Sequence, residues 1–354
     1  MRFVHAVVSM RPSAGVLAQI EDEARCAREL GIPWTVLVRQ GACAGTSRSI
    51  LGYLRLRFAF YIAVVRRARQ GEIVVLRHSA GDPLQFLAAL LMRHRFVTVH
   101  HTLEEPELRS LTTKASRIQR LIERTLGRGV VRRASAIVAA TPEIARHQQS
   151  RAGIGTKTVK PVFIYPNGVH FHDVPPGLED ARGERPELLF VADYFYPWHG
   201  LEELLRSMTH SQADGVLHVV GEVPLTCKTN DRVVYHGRLS RTAIATLQSK
   251  AWVGLSSFRL DVKGMSEACT LKVRDYLSAG LPVYAGHTDS GLPADFPFFV
   301  QGTPDWTRAV EIARSFRAID RLEVASAARP HIDKKVLVQR LHAELVSALA
   351  RPTA

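Results

Sequence analysis

The strongest constraint on the fold is the alternation of short apolar, β-branched runs with longer stretches of helical periodicity. It occurs in two series, each typical of successive βα units that form a parallel, doubly wound sheet. The first series contains FVHAVVSM, WTVLV, EIVVL, RFVTVH and SAIVAAT, and the second contains LLFVAD, VLHVVG, VVYHG, WVGLSS and PVYAG. We therefore predict an α/β protein built from two Rossmann-like sheets.

A break separates the two series. Residues 165–187 combine Pro, Gly, Asn and charged residues between two apolar segments, as linkers do. The chain of 354 residues also exceeds what one hydrophobic core usually organises. We predict an N-terminal domain over residues 1–172 and a C-terminal domain over residues 173–335. The carboxyl ends of both sets of strands are expected to open into a cleft that the two domains face.

Composition favours an ordered cytoplasmic protein. Apolar residues make up 46% of the chain and charged residues 23%, as in average soluble domains. Cys26, Cys43, Cys227 and Cys269 show neither a CxxC nor a Cys/His spacing, so we expect no zinc site and no disulfide framework. The longest apolar runs fall short of the roughly 20 residues that a spanning helix needs, and the N-terminal run is a poor signal peptide.

The net charge of +14 is unevenly distributed. Residues 1–172 hold 26 Lys and Arg against 11 Asp and Glu, an excess of +15, whereas residues 173–354 hold 21 against 22, a balance of −1. Such asymmetry predicts an anionic partner for the N-terminal domain: a lipid headgroup surface, a phosphorylated acceptor or a nucleic acid. No RNP-like, helix-turn-helix or zinc pattern accompanies the charge, so a nucleic acid is the least favoured of the three.

One basic stretch stands out in this domain. A single helix is predicted from about Leu108 to Leu126, with the apolar stripe Leu108, Leu111, Ile118 and Ile122 packed inward. Its basic residues would face an anionic membrane from the cytoplasmic side. These residues are Arg109, Lys114, Arg117, Arg120, Arg124 and Arg128.

The segment 266–283, SEACTLKVRDYLSAGLPV, carries the clearest chemical signal. Glu267 and Asp275 are separated by seven residues, ahead of a helix end at Gly280 and a strand that starts at Leu281. Ser266 is a reasonable N-cap, so the amides that follow it would point at an anion. A diphosphate suits such a site, and the two carboxylates could grip hydroxyl groups on either side of it.

This segment resembles the donor-binding motif of the family 4 retaining glycosyltransferases. YPNGV, FVADYFYPWHGLEELL and VVYHGRL resemble further segments of that family and occur in the same order. The resemblance implies the GT-B fold, a nucleotide-sugar donor and retention of anomeric configuration. It also implies that the final segment is a helix, about residues 336–354, that crosses back to the first domain.

The resemblance assigns roles to individual residues. Glu267 would bond the donor sugar and Asp275 the ribose hydroxyls, although the family usually has the longer Glu at the second position. Amides of Ala268, Cys269, Thr270 and Leu271 would contact sugar and phosphates. The usual basic residue is replaced by His199, so the positive charge would come partly from Lys272, Lys263 or Arg259.

The N-terminal domain supplies weaker candidates. His100, or alternatively His101, matches the family's strand-end histidine that touches the donor sugar. Gly15 starts a helix after the first strand, where close approach to a phosphate is possible. Glu104, Glu105 and Glu107 follow in a loop that could approach an acceptor, although a solvated acidic loop is the commoner outcome.

These observations predict transfer of a sugar from a nucleoside-diphosphate sugar to a saccharide or lipid-linked acceptor. No DxD motif occurs in a convincing place, so we expect no metal requirement and no further cofactor. The alternatives that stay open are a sugar-nucleotide epimerase or phosphorylase of the same fold, and a basic nucleic-acid-binding protein.

Overall fold

The computed structural model describes residues 1–9, 14–41, 50–111, 113–153, 160–171, 180–224 and 230–350. The chain divides into two compact units. The N-terminal unit comprises Met1–Pro166 together with Lys335–Ala354, and the C-terminal unit comprises Asn167–Lys334.

The N-terminal unit is built on a parallel sheet of six strands in the order β2-β1-β3-β4-β5-β6. The strands are β1 (Phe3–Ser9), β2 (Trp34–Gln40), β3 (Ile73–Arg77), β4 (Phe96–His100), β5 (Ile137–Ala139) and β6 (Val162–Ile164). The helices are α1 (Ala14–Glu29), α2 (Ile50–Arg69), α3 (Pro83–Met92), α4 (Glu104–Ser110), α5 (Lys114–Ile122), α6 (Arg128–Arg133) and α7 (Pro142–Ala152).

Successive strand residues point to opposite faces of this sheet, which explains its two cores. Val4 and Ala6 pack with residues of α2, α3 and α6 on one face, whereas Phe3 packs on the other face. All five residues of β4 are buried, as expected for a central strand of a parallel sheet.

The single helix predicted from Leu108 to Leu126 is wrong. The stretch forms α4 and α5, and then a π-helical turn, Glu123–Gly127, leads into α6. Glu123, the first residue of this turn, is buried and pairs with His78 and Arg151. The predicted stripe is also wrong in part, because Leu111 is 40% exposed and Ile118 is 63% exposed.

The C-terminal unit contains a second parallel sheet of six strands in the order β12-β11-β10-β7-β8-β9. The strands are β7 (Glu187–Tyr194), β8 (Val216–Glu222), β9 (Val233–Gly237), β10 (Val253–Leu255), β11 (Val283–Ala285) and β12 (Phe299–Gln301). The helices are α8 (Leu201–Thr209), α9 (Arg241–Lys250), α10 (Leu271–Ser278), α11 (Trp306–Ser315) and α12 (Arg321–Ile332).

The same alternation divides the core of this unit. Leu188 and Phe190 pack with residues of α8 and α11, whereas Leu189 packs with residues of α10 and α12. The predicted α/β class with two parallel sheets is confirmed.

The last helix, α13 (Lys334–Ala350), belongs mainly to the N-terminal unit. Leu337, Val338 and Leu341 pack in the core that contains Phe3 and Trp34. Within the residues that the structure describes, no helix combines the length and the apolar character that crossing a bilayer requires.

Candidate functional site

The helix expected after Glu267 is α10, but it starts later than predicted. Thr270, not Ser266, is its N-cap. The backbone from Ser266 to Ala268 is extended and bridges Thr288: the Thr288 amide donates to the Ser266 carbonyl at 3.0 Å, and the Ala268 amide donates to the Thr288 carbonyl at 3.0 Å. Because this pairing holds the segment extended, the helix cannot begin before Thr270. It also occupies the Ala268 amide, which was expected to contact a ligand.

The start of α10 is left uncapped. The Thr270 side chain makes no capping hydrogen bond, and its Oγ1 lies 3.1 Å from Ser256 Oγ instead. The amides of a first helical turn have no acceptor within the helix, and the helix dipole adds positive potential there. The amides from Leu271 onward are therefore the ones placed to receive an anion.

Lys272 adds a cation at the same helix start. Its Nζ is buried, has no hydrogen-bond partner among the described residues and lies 5.1 Å from the centroid of the Phe190 ring. Burial lowers the pKa of Lys272 to about 7. A buried ammonium without a counter-ion is costly, so an anionic ligand at this position would remove a penalty that the free protein carries.

His199 lies in a 3-10 turn, Pro197–His199, and its Nδ1 accepts the Tyr196 amide at 3.0 Å. The proton of the neutral ring is therefore on Nε2. Burial, followed by the charges of Lys272 and Lys263, lowers the pKa of His199 to about 2. His199 can donate one hydrogen bond to a phosphate, but it adds no positive charge near neutral pH.

The two other cations expected here, Lys263 and Arg259, have different surroundings. Lys263 Nζ lies 4.8 Å from the centroid of the Trp198 ring. Arg259 pairs with Glu203 at 2.6 Å and with Asp261 at 2.9 Å, so its charge is neutralised within the protein. The positive charge at this site is therefore supplied by Lys272 and Lys263.

Two turns meet at this site through their backbones. The Phe258 amide donates to the His199 carbonyl at 3.1 Å, and the Arg259 amide donates to the Trp198 carbonyl at 3.1 Å. Gly200 permits this approach: its φ is +74°, and a Cβ atom there would lie 2.9 Å from Phe258 Cβ.

Glu267 and Asp275 lie on either side of the helix start. Glu267 is half-buried in the extended segment before α10, and Asp275 is exposed in the second turn of α10. Cys269 lies between them and is buried, which raises the pKa of its thiol to about 12 and keeps it neutral.

The sequence analysis missed the residues that fix this segment. Arg274 is fully buried, pairs with Asp289 at 2.8 Å and donates from Nε to the Asn167 carbonyl at 2.9 Å. Asn167 Nδ2 in turn donates to the Cys269 carbonyl at 2.7 Å. Asn167 lies in the YPNGV segment, so an Asn-Gly pair directly after a strand was the available signal.

In the N-terminal unit, His100 ends β4 in a fully buried position. Its Nδ1 lies 2.6 Å from Glu104 Oε1, and Gln148 Nε2 donates to Glu104 Oε2 at 2.6 Å. Burial, which outweighs the neighbouring carboxylate, lowers the pKa of His100. Despite its own burial, Glu104 has a lowered pKa because of the His100 ring and their hydrogen bond.

This pairing defines the tautomer of His100. A carboxylate can only accept, so Nδ1 carries the proton and Nε2 presents a lone pair. That Nε2 is buried and has no partner in the described part of the chain. The expectation that Glu104 lies in a loop and approaches an acceptor is wrong, because it is buried in α4. His101, the alternative to His100, is half-buried.

A second His–carboxylate pair lies beside the first. The His78 and His100 ring centroids are 4.8 Å apart, and His78 Nε2 lies 2.8 Å from Glu123 Oε1. Glu123 also accepts the Gly81 amide at 2.8 Å and pairs with Arg151. The carboxylate raises the pKa of His78 against the effect of burial. Sequence gave no sign of this pair, whose members are 45 residues apart.

The structure also bears on the predictions for Gly15, a metal site and the cysteines. Gly15 is the second residue of α1 and follows β1, as predicted. In the described parts of the chain, no three His, Cys, Asp or Glu side chains come together in a way that could hold a metal ion. Cys26 and Cys269 are buried and form no disulfide bond with a described residue, whereas Cys43 and Cys227 lie outside the described residues.

Comparison with solved structures identifies the fold. A sucrose-phosphate synthase from Thermosynechococcus elongatus aligns over 99% of this chain and 100% of its own, with a TM-score of 0.65 and 12% identity. Anabaena Alr3699/HepE in complex with UDP aligns over 98% and 100%, with a TM-score of 0.62 and 15% identity. The lipopolysaccharide outer core galactosyltransferase WaaB aligns over 98% and 99%, with a TM-score of 0.60 and 12% identity.

The chain has the GT-B fold. The predicted fold is confirmed, and the full coverage of both chains extends the likeness to both sheets. No protein-family model matches the sequence, and no curated protein matches it either. At these identities the likeness concerns the GT-B fold alone, and the activity has to be argued from the site.

Proposed function

We propose that this GT-B protein is a glycosyltransferase that binds a nucleoside-diphosphate sugar at the start of α10. The observation that carries the proposal is the buried ammonium of Lys272, which has no hydrogen-bond partner in the described segments, beside an uncapped helix start. Both features favour an anion with several oxygen atoms, as a diphosphate has. HepE, one of the structures with this fold, is in complex with UDP.

The residues around the helix start would each bind a different part of the donor. The amides from Leu271 onward, Lys272 and Lys263 would hold the diphosphate, and His199 would add one hydrogen bond from Nε2. By the family resemblance, Asp275 would bind the ribose and Glu267 the donor sugar.

Catalysis would then consist of positioning and electrostatics. As the bond between the sugar and the phosphate breaks, negative charge grows on the departing diphosphate, where fixed amides and two cations stabilise it. His100 would accept a hydrogen bond from a hydroxyl group of the donor sugar through its Nε2 lone pair. Retention of configuration and independence of metals are part of the proposal, and Gly15 is kept as a phosphate contact.

We further propose that the acceptor is a saccharide or lipid-linked molecule at a cytoplasmic membrane surface. The +15 charge of residues 1–172 supports it, because membrane surfaces and phosphorylated acceptors are anionic.

A thermal-shift screen with nucleoside diphosphates and their sugars, with and without EDTA, tests the donor site. One nucleotide should raise the melting temperature in proportion to the logarithm of its concentration, and EDTA should not change this. Lys272→Met should remove the shift, whereas Lys250→Met, at an exposed lysine of the same unit, should retain it. No shift with any nucleotide would contradict the proposal.

Kinetics with the identified donor separate the two acidic residues. Glu267→Gln should lower kcat by about 100-fold or more, because sugar contacts strengthen as the bond breaks, whereas Asp275→Asn should mainly raise KM, because ribose contacts are equal in both states. Wild-type kinetics in both variants would refute the assignment. Conversion of the donor into an isomer without an acceptor would point to an epimerase instead.

A further inference from the structure

Helix α3 of the N-terminal unit leaves most of its leucines exposed to solvent, unlike an ordinary surface helix. It buries Gln85, Ala88, Ala89 and Met92, whereas Leu87 is 52% exposed and Leu91 is 55% exposed. A helix on a globular protein normally packs its leucines inward and leaves small or polar residues outside. Leu87, Leu90 and Leu91 therefore form an apolar surface that this unit does not bury.

Helix α2 extends this apolar surface. Phe58 is 59% exposed and Ile62 is 41% exposed, and the two helices border a groove of about 320 Å³. We call this area the α2–α3 surface. Its exposed apolar residues are Phe58, Ile62, Leu87, Leu90 and Leu91.

The charges around the α2–α3 surface are of one sign. Residues 50–95 contain eight arginines and only two acids, Glu72 and Asp82. Both acids are buried and paired, Glu72 with Arg67 and Asp82 with Arg57. Arginines that stay exposed include Arg66 and Arg69, which line the groove, and Arg93 and Arg95, which follow α3.

We propose that the α2–α3 surface docks into the headgroup region of an anionic lipid bilayer. The apolar side chains would enter the boundary between headgroups and acyl chains, and the arginines would reach the lipid phosphates. The proposal does not depend on glycosyl transfer, since it concerns binding to lipid alone.

A second copy of this chain would be a poor partner for the same surface. In a symmetric dimer the surface faces itself, so the exposed arginines of the two copies would oppose each other without a carboxylate between them. Arg120 of α5 and Arg124 of the π-helical turn are also less suited to lead docking, because they lie 3.6 Å and 3.8 Å from the Glu105 carboxylate.

Vesicle flotation without donor or acceptor tests the proposal. The wild-type protein should bind vesicles of phosphatidylcholine with one third phosphatidylglycerol and bind pure phosphatidylcholine much more weakly. The triple variant Phe58→Asn, Leu87→Asn, Leu91→Asn should lose about tenfold or more in affinity for the acidic vesicles. These residues are exposed, so an unchanged melting temperature should show that the variant is folded.

Two further variants sharpen the test. Arg66→Gln with Arg69→Gln should weaken binding to acidic vesicles by about fivefold per arginine, while binding to neutral vesicles should change little. Leu322→Asn with Val336→Asn replaces exposed apolar residues elsewhere and should bind as the wild type does.

Three outcomes would overturn the proposal: equal binding by the wild type and the triple variant, equal binding of the wild type to acidic and neutral vesicles, or a wild-type dimer that the triple variant converts to monomer. The last, measured by light scattering after gel filtration, would show that a second copy covers the surface.

Discussion

The site at the start of α10 and the site around His100 both contain buried polar atoms that no described residue hydrogen-bonds, but their electrostatics are opposite. At α10, Lys272 is desolvated without a carboxylate beside it in the part of the chain that the structure describes, and Lys263 adds a second positive charge nearby. Around His100, the carboxylates of Glu104 and Glu123 are each paired with a basic group. The first site favours an anion, whereas the carboxylates of the second already have partners and its His100 offers a lone pair to a hydrogen-bond donor.

The comparison predicts that removing the charged residue has opposite effects on stability at the two sites. Glu104→Gln should lower the free energy of unfolding by about 2–3 kcal/mol, because the hydrogen bonds from His100 and Gln148 lose their charged acceptor. Chemical denaturation measures this value. Glu105→Gln changes the adjacent, half-buried carboxylate and should cost less than about 1 kcal/mol. If Glu104→Gln also lowered the free energy of unfolding by less than about 1 kcal/mol, the Glu104 carboxylate would not be what stabilises the His100 site.

Lys272→Met should have the opposite effect on the protein without ligand. The free energy of unfolding should rise by about 1–2 kcal/mol, because a buried ammonium without a partner is replaced by an apolar side chain that suits the neighbouring Phe190 ring. The same denaturation experiment applies, with Lys250→Met as the control. A less stable Lys272→Met variant would mean that the ammonium is satisfied in the free protein, and the comparison would fail.

Much of the fold could be predicted from sequence because its causes are local. Buried β-branched runs and the helices between them follow from periodicity within a few residues, and the GLPV strand after Asp275 placed α10 within one helical turn. The placement of Lys272 and His199 near each other followed from the same motif order, since both follow strands of one parallel sheet.

The rest depends on contacts between residues that are distant in sequence. The start of α10 is set by Thr288, which pairs with Ser266 and Ala268, and nothing local distinguishes Ser266 from Thr270 as an N-cap. Glu123 turns inward because His78 and Arg151 receive it. The exposed leucines of α3 were missed for a related reason, since periodicity shows that a helix has an apolar side but not whether the protein covers it.

The last prediction concerns pH and again separates the two sites. Burial lowers the pKa of Lys272 to about 7 from 10.5, so between these values the unfolded chain binds a proton that the folded protein does not. Raising the pH through this range therefore favours the folded state, by at most about 1.4 kcal/mol per pH unit. The stability of the wild type relative to Lys272→Met should rise from about pH 7 to pH 10.5 and level off on either side.

No such slope is expected from Glu104, whose lowered pKa makes its contribution complete above about pH 4.5 and lost as the pH falls further. Denaturation midpoints of wild type, Lys272→Met and Glu104→Gln across this pH range give the measurement. Parallel curves for wild type and Lys272→Met above pH 7 would show that Lys272 keeps an ordinary pKa, which would remove the electrostatic reason for placing a diphosphate beside it.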